Sequence, residues 1–252
     1  MPEPASSQWY ETWFDSPHYH RLYGHRSETE AQRFIDRLHR HFGWNSLRLL
    51  DLACGKGRHA AAAAELGHDV VGLDLSPNSI AQAKERYGTR SNLRFVQADM
   101  RSFDLPAFDG ILNLFTSFGY FDREEDQQAV LMKVGQHLTP NGFFLLDFLN
   151  VPWARHRLVP EETVEREGVA YHIERSFERL NPQMEGFVKT IAFEEAGTPH
   201  HFTERVAGLD RQALTTMLAT VGLAVEQTFG DYALNPYDED TSPRLILMTR
   251  IP

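Results

Sequence analysis

The run Leu49-Leu50-Asp51-Leu52-Ala53-Cys54-Gly55-Lys56-Gly57-Arg58-His59, with Asp74 nineteen residues after Gly55, constrains this chain more than any other feature. An apolar stretch meets two closely spaced glycines, and a helix-favouring run, Ala60 to Ala64, follows. This reads as a buried strand, a tight turn and a helix start, with an acid closing a second strand. Glycines at the turn let backbone approach a ligand, and the acid is suited to ribose hydroxyls, so an adenosine-containing cofactor is expected.

The pattern continues as alternating strands and helices. Strands are expected at 47–52, 69–73, 93–97, 110–115 and 143–148, and helices at 28–42, 58–66, 76 onward and 124–138. Ser76-Pro77 gives one helix a capping hydroxyl followed by proline at its first position, and Thr139-Pro140-Asn141-Gly142 is expected to stop another. Strands joined by helices imply a parallel, doubly wound sheet with right-handed crossovers. From about Pro152 to Leu209 the periodicity changes to two, as in Val169, Tyr171 and Ile173, which predicts an inserted antiparallel sheet. A helix at 210–221 and strands at 223–229 and 244–250 complete the chain.

Three regions follow: an aromatic and helical cap over 1–46, a Rossmann-like core over 47–151 and 208–252, and an inserted β lid over 152–207. The cap is rich in aromatic residues, Trp9, Tyr10, Trp13, Phe14, Tyr19 and Tyr23 among them. It is read either as a cover over an apolar ligand or as a helix packed on the flank. The chain has 252 residues, ample for such a core, and a formal net charge of −10. With no dense Lys/Arg run, a nucleic-acid partner is not expected. One cysteine, Cys54, excludes an intrachain disulfide and fits a reducing compartment. No leader pattern or membrane-spanning apolar run is read, so a cytoplasmic location without membrane contact is expected. Histidine spacings, including His18-Tyr19-His20 and His200-His201, lack accompanying carboxylates and predict no metal site.

The segment Gly55 to Ala60 satisfies the loose dinucleotide fingerprint Gly-x-Gly-x-x-Ala. Asp51 argues otherwise, because a carboxylate at the end of the first strand opposes a phosphate and suits an ammonium or sulfonium group. Leu49 to Gly57, Asp74 and Asp99-Met100 together resemble the successive cofactor motifs of class I S-adenosylmethionine-dependent methyltransferases. That resemblance implies a seven-stranded Rossmann-like α/β sheet, S-adenosylmethionine as methyl donor and S-adenosylhomocysteine as product. It further implies that Asp74 holds the ribose, that Asp99 and Met100 contact adenine, and that Ala53 and Gly55 lie near the methionine portion.

Leu22 to Ser27 and Leu114 to Phe118 are similar to the small-molecule branch containing glycine N-methyltransferase and sugar N-methyltransferases. By that resemblance Tyr23 and Arg26 cover the cofactor and clamp its carboxylate, and Tyr19, Asp51, Leu75, Leu114 and Ser117 complete the cofactor set. Arg26 as a surface charge at a helix start is the other reading.

Acceptor-side residues are sought at the carboxyl ends of the strands. Tyr120 and Arg244 are expected there, with Tyr171 or Arg175 facing inward from the inserted sheet. Arg244 with Arg175 would suit a substrate anion. His18, His20 and His25 are further candidates as acceptor-side bases. The expected activity is in-line methyl transfer to a small molecule. An RNA or protein methyltransferase, a nucleotide-dependent oxidoreductase and a non-catalytic cofactor-binding protein are the alternatives, and the oligomeric state is left open.

Overall fold

The computed structural model describes residues 9–24 and 27–251. Five strands follow in order, with helices between all neighbours except β3 and β4: β1 (Arg48–Leu52), β2 (Asp69–Asp74), β3 (Leu93–Gln97), β4 (Phe108–Asn113) and β5 (Leu138–Leu149). The intervening helices are α4 (Arg58–Glu65), α5 (Pro77–Tyr87) and α6 (Glu124–Gln136). Three helices precede them, α1 (Trp9–Phe14), α2 (Pro17–Leu22) and α3 (Glu28–Phe42). After β5 come α7 (Val151–His156) and four strands, β6 (Glu161–Arg166), β7 (Val169–Asn181), β8 (Met184–Glu195) and β9 (Thr198–Ala207). Helix α8 (Arg211–Thr220) leads to β10 (Ala224–Phe229) and β11 (Arg244–Arg250).

Strands β10-β11-β5-β4-β1-β2-β3 form one seven-stranded sheet in that order, and β6 to β9 form a separate antiparallel sheet. In the large sheet β11 alone runs against its neighbours, pairing antiparallel with both β5 and β10. The expected seven-stranded α/β fold with an inserted antiparallel sheet is the observed one. Leu49, Leu50 and Leu52 are all fully buried because helices or the inserted sheet cover both faces of β1. Alternation assigns them to opposite faces. Leu50 and Leu52 join a cluster that reaches Trp13, Tyr171 and Phe193, whereas Leu49 packs with Phe34, Ile35 and the alanines of α4.

Three local expectations change. The inserted region starts with helix α7 rather than with extended chain. Strand β4 ends at Asn113, not Phe115, because Phe115 and Thr116 turn into the left-handed region with φ of 61° and 60°. Such backbone cannot continue a strand. Thr139 to Gly142 does not separate α6 from β5; β5 already begins at Leu138, and its pairing with β4 slips between Phe108 and Gly110.

Helix α1 packs between the two sheets, whereas α3 lies on the other face of the large sheet against α4. Trp13 is fully buried against Phe202 of β9, ring centroids 4.4 Å apart. Asp15 fastens it to the large sheet by accepting from the Ser76 hydroxyl at 2.6 Å and the Asn78 backbone N–H at 3.0 Å. Among the described residues no helix is long and apolar enough to cross a membrane.

Candidate active site

A cavity of about 630 Å³ opens at the carboxyl edge of the large sheet, as the topology requires. Its floor is the turn after β1. Gly57 has φ of 78°, and a Cβ there would lie 2.5 Å from the Phe95 ring, so both conformation and space demand glycine. Ala53 also adopts a positive φ, 63°. Cys54 packs beneath the turn, where burial pushes its thiol well up, which suits an inert packed group rather than a nucleophile.

Two carboxylates hold this turn. Asp74 accepts from the Gly55 backbone N–H at 2.7 Å through one oxygen and from the Ser76 N–H at 2.9 Å through the other. Burial raises its pKa, and those two backbone donors oppose the rise. Asp51 lies behind the turn and accepts from the Ala60 N–H at 3.0 Å, which supplies the cap that Gly57 cannot give α4. Burial pushes the Asp51 carboxyl up to about 7. Asp51 does not line the cavity; it shapes the turn from beneath.

A smaller apolar recess adjoins the cavity through Ala53, Asp74, Phe14 and Tyr120. Leu75, Asp99 and Met100 line it. Burial would raise the Asp99 carboxyl, but the Arg101 side chain and backbone N–H bind it and hold it below its usual range, the shortest contact being 2.6 Å. Tyr19, Tyr23, Gly55, Leu114 and Ser117 border the main cavity, so most of the expected cofactor set converges, and Tyr120, expected on the acceptor side, borders both the cavity and the recess. Arg26 and His25 lie outside the described residues.

The opposite wall holds a group that sequence patterning did not single out. Glu204 of β9 accepts from Trp13 Nε1 at 2.6 Å and from the Tyr23 hydroxyl at 2.7 Å, and Lys189 Nζ stands 3.8 Å away. Lys189 also donates to the Tyr23 hydroxyl. The available signal was the alternation Phe202, Glu204, Val206: one acid on an otherwise apolar strand face. His20, expected as an acceptor-side base, borders the cavity as well. Burial and the nearby Lys56 charge press its pKa down to about 4, so the ring is neutral at neutral pH.

Two acceptor-side expectations are corrected. Tyr171 is fully buried against Phe193, ring centroids 4.7 Å apart, and borders none of the cavities described here, because β7 presents that face to the core. Arg244 does border the cavity, but its guanidinium is committed: Nε donates to Asp147 at 2.7 Å and an Nη donates to Thr116 Oγ1 at 2.8 Å. Arg175 lies elsewhere, paired with Glu162. The two arginines therefore do not clamp one anion together.

The histidine spacings pointed to no metal, yet folding brings His18, Glu195 and His200 together, with candidate ligand atoms within 4.8 Å of one another. This cluster joins α2 to the β8–β9 hairpin, outside the cavity lining.

Residues 49–142 match the family described as "Methyltransferase domain". The chain is 35% identical over 129 residues to a glycine/sarcosine N-methyltransferase of Parasynechococcus marenigrum, covering 50% of this chain and 45% of that protein. It is 32% identical over 106 residues to a dTDP-3-amino-3,4,6-trideoxy-alpha-D-glucopyranose N,N-dimethyltransferase of Streptomyces venezuelae, covering 42% of each. The chain thus spans under half the length of these curated relatives. Among solved structures, the CcbJ methyltransferase of Streptomyces caelestis aligns with a TM-score of 0.77 at 18% identity, over 96% of this chain and 98% of that one. A sugar N-methyltransferase from Streptoalloteichus aligns with a TM-score of 0.69 at 20% identity, over 99% of both chains. Residues 49–142 thus match a methyltransferase domain, and the chain as a whole shares the fold of solved methyltransferases.

Proposed function

We propose that the protein transfers a methyl group from S-adenosylmethionine to a nitrogen of a small-molecule acceptor, leaving S-adenosylhomocysteine. One observation carries the choice of donor: carboxylates already accept the backbone N–H groups of the glycine turn and the start of α4, from Gly55 to Asp74 and from Ala60 to Asp51. A pyrophosphate needs those same amides, which the two acids already occupy, and would face the Asp74 carboxylate at the cavity wall. A donor carrying an ammonium and a sulfonium, and no phosphate, suits that wall.

The residues present fit that group. Asp74, with both oxygens oriented by backbone donors, is placed for the ribose hydroxyls, and the recess of Leu75, Asp99 and Met100 offers adenine apolar walls and one carboxylate. Tyr19 and Tyr23 border the side nearest the cap. When bound, S-adenosylmethionine supplies a methyl group on a positively charged sulfur.

The chain's own contribution is positioning and charge. An acceptor must sit in line at about 3–3.5 Å with water excluded. The cap helices and the inserted sheet enclose the cavity for this purpose, and the neutral His20 ring adds no repulsion to a cationic donor. An amine gains positive charge as it is methylated, and Glu204 supplies negative charge on the wall facing the turn. The names of the relatives, which act on glycine, sarcosine and amino sugars, support nitrogen as the acceptor atom.

Calorimetry with S-adenosylhomocysteine, NAD and NADP tests the donor. Binding of the first alone is expected; binding of a dinucleotide alone overturns the reading. A methyl-transfer screen over amino acids and amino sugars then tests the acceptor, and methylation confined to hydroxyl compounds would overturn nitrogen.

A further inference from the structure

A second cavity, of about 980 Å³, lies between α3 and the inserted sheet. Tyr23 and Phe115 border both cavities, so the two meet at the wall that carries Lys189, whose ammonium contacts the Tyr23 hydroxyl. The lining of the second cavity runs against the charge of the molecule. Arg33, Arg37, Arg166, Arg175 and Lys189 share this lining with two acids, Glu30 and Glu162, in a chain whose net charge is −10, and Lys189 also stands 3.8 Å from Glu204. Cations gathered on one lining repel one another unless an anion joins them.

Their pairing is incomplete. Arg175 is neutralised by Glu162, and Arg37 donates to the Tyr232 carbonyl at 2.9 Å. Arg166 donates to the Glu165 carbonyl at 2.9 Å, a neutral partner, while its Nε is buried without a hydrogen-bond partner among the described residues. A buried guanidinium N–H left unmade is costly, and such a group calls for an acceptor that the described residues do not provide.

We propose that this cavity binds an anionic group of the acceptor, a carboxylate or a phosphate, at Arg166 and the α3 arginines while the reacting nitrogen reaches past Tyr23 into the donor cavity. Guanidinium forks match the planar or tetrahedral oxygens of both groups. The assignment rests on the methyl-transfer reading, since it gives that reaction its substrate class: amines bearing an acidic group, in preference to neutral amines.

The test uses the full chain saturated with S-adenosylhomocysteine and titrated calorimetrically with inorganic pyrophosphate and, separately, succinate at low salt. Binding of either at millimolar concentration or better is expected, pyrophosphate alone indicating a phosphate and succinate alone a carboxylate. Arg166→Gln and Arg33→Gln should each weaken that binding about tenfold, whereas Arg94→Gln, on the exposed side of β3, should leave it unchanged. Unaltered S-adenosylhomocysteine affinity shows that the variants are folded. If the protein binds S-adenosylhomocysteine but neither anion, or if Arg166→Gln and Arg94→Gln behave alike, the anion site is wrong and the methyl-transfer reading stands. Failure to bind S-adenosylhomocysteine would instead remove the reading beneath it.

Discussion

Glu204 accepts the Tyr23 hydroxyl at 2.7 Å, which ties the inserted sheet to the N-terminal cap along the lining of the cavity at the sheet's carboxyl edge. The same carboxylate takes the Trp13 indole N–H, so one acid closes the wall and charges it.

Glu204→Gln keeps an acceptor oxygen for those donors and removes the charge. Turnover should fall at least about tenfold, as loss of a positioned charge in a dry site does, with S-adenosylhomocysteine affinity changed less than about twofold. Glu204→Ala should also lower the melting temperature, because it strands the Trp13 and Tyr23 donors. Equal turnover of wild type and the Gln variant would remove the electrostatic role.

Arg244 and Asp147 form the second predicted dependence. Asp147 is fully buried; besides Arg244 it accepts the Phe115 backbone N–H at 2.7 Å and the Tyr232 hydroxyl at 3.0 Å. This network holds the Phe115–Thr116 turn in its left-handed conformation. Arg244→Met leaves a buried carboxylate short of its cation and should cost about 3–5 kcal/mol in a denaturant titration. Arg244→Lys should recover part of that loss but not the fork to Asp147 and Thr116. A melting curve unaffected by Arg244→Met would show that the pair does not support the loop.

Asp74→Ala removes the carboxylate proposed to take the ribose and both backbone contacts that order the glycine turn. Affinity for S-adenosylhomocysteine should drop by about 10–100-fold, the usual range for charged hydrogen bonds. Asp74→Asn, which keeps one acceptor oxygen, should fall between. Calorimetry that finds wild-type affinity in Asp74→Ala would return the acid to a purely local function.

Asp51 predicts a pH dependence of the ligand-free protein. Burial raises its folded pKa from 3.8 to about 7. A raised carboxyl contributes stability that is fully present below 3.8 and is lost as pH rises through 7. Asp51→Asn has no such proton to lose. The melting temperature of the variant minus that of wild type should therefore increase between pH 4 and pH 7 and level off above. A difference independent of pH would mean that Asp51 is ionised in the fold.

The sequence by itself determined the large sheet and the glycine turn with the acids around it. Leu49 to His59, Asp74 and Asp99-Met100 act within one strand–turn–helix–strand run and its successor: strand ends, a turn that only glycine fills, and acids whose backbone partners lie two to nineteen residues away. Such features survive in linear order. It could not determine the acceptor side, where every decisive contact is long-range. Trp13 meets Glu204 across 191 residues, and Arg244 reaches Thr116 across 128. Periodicity reported that Tyr171 and Arg244 lay on a suitable strand or edge, not that one faces the core and the other is consumed by Asp147. Only packing of the inserted sheet against the cap decides which side chains face the cavities, because a strand offers two faces and its partner chooses between them.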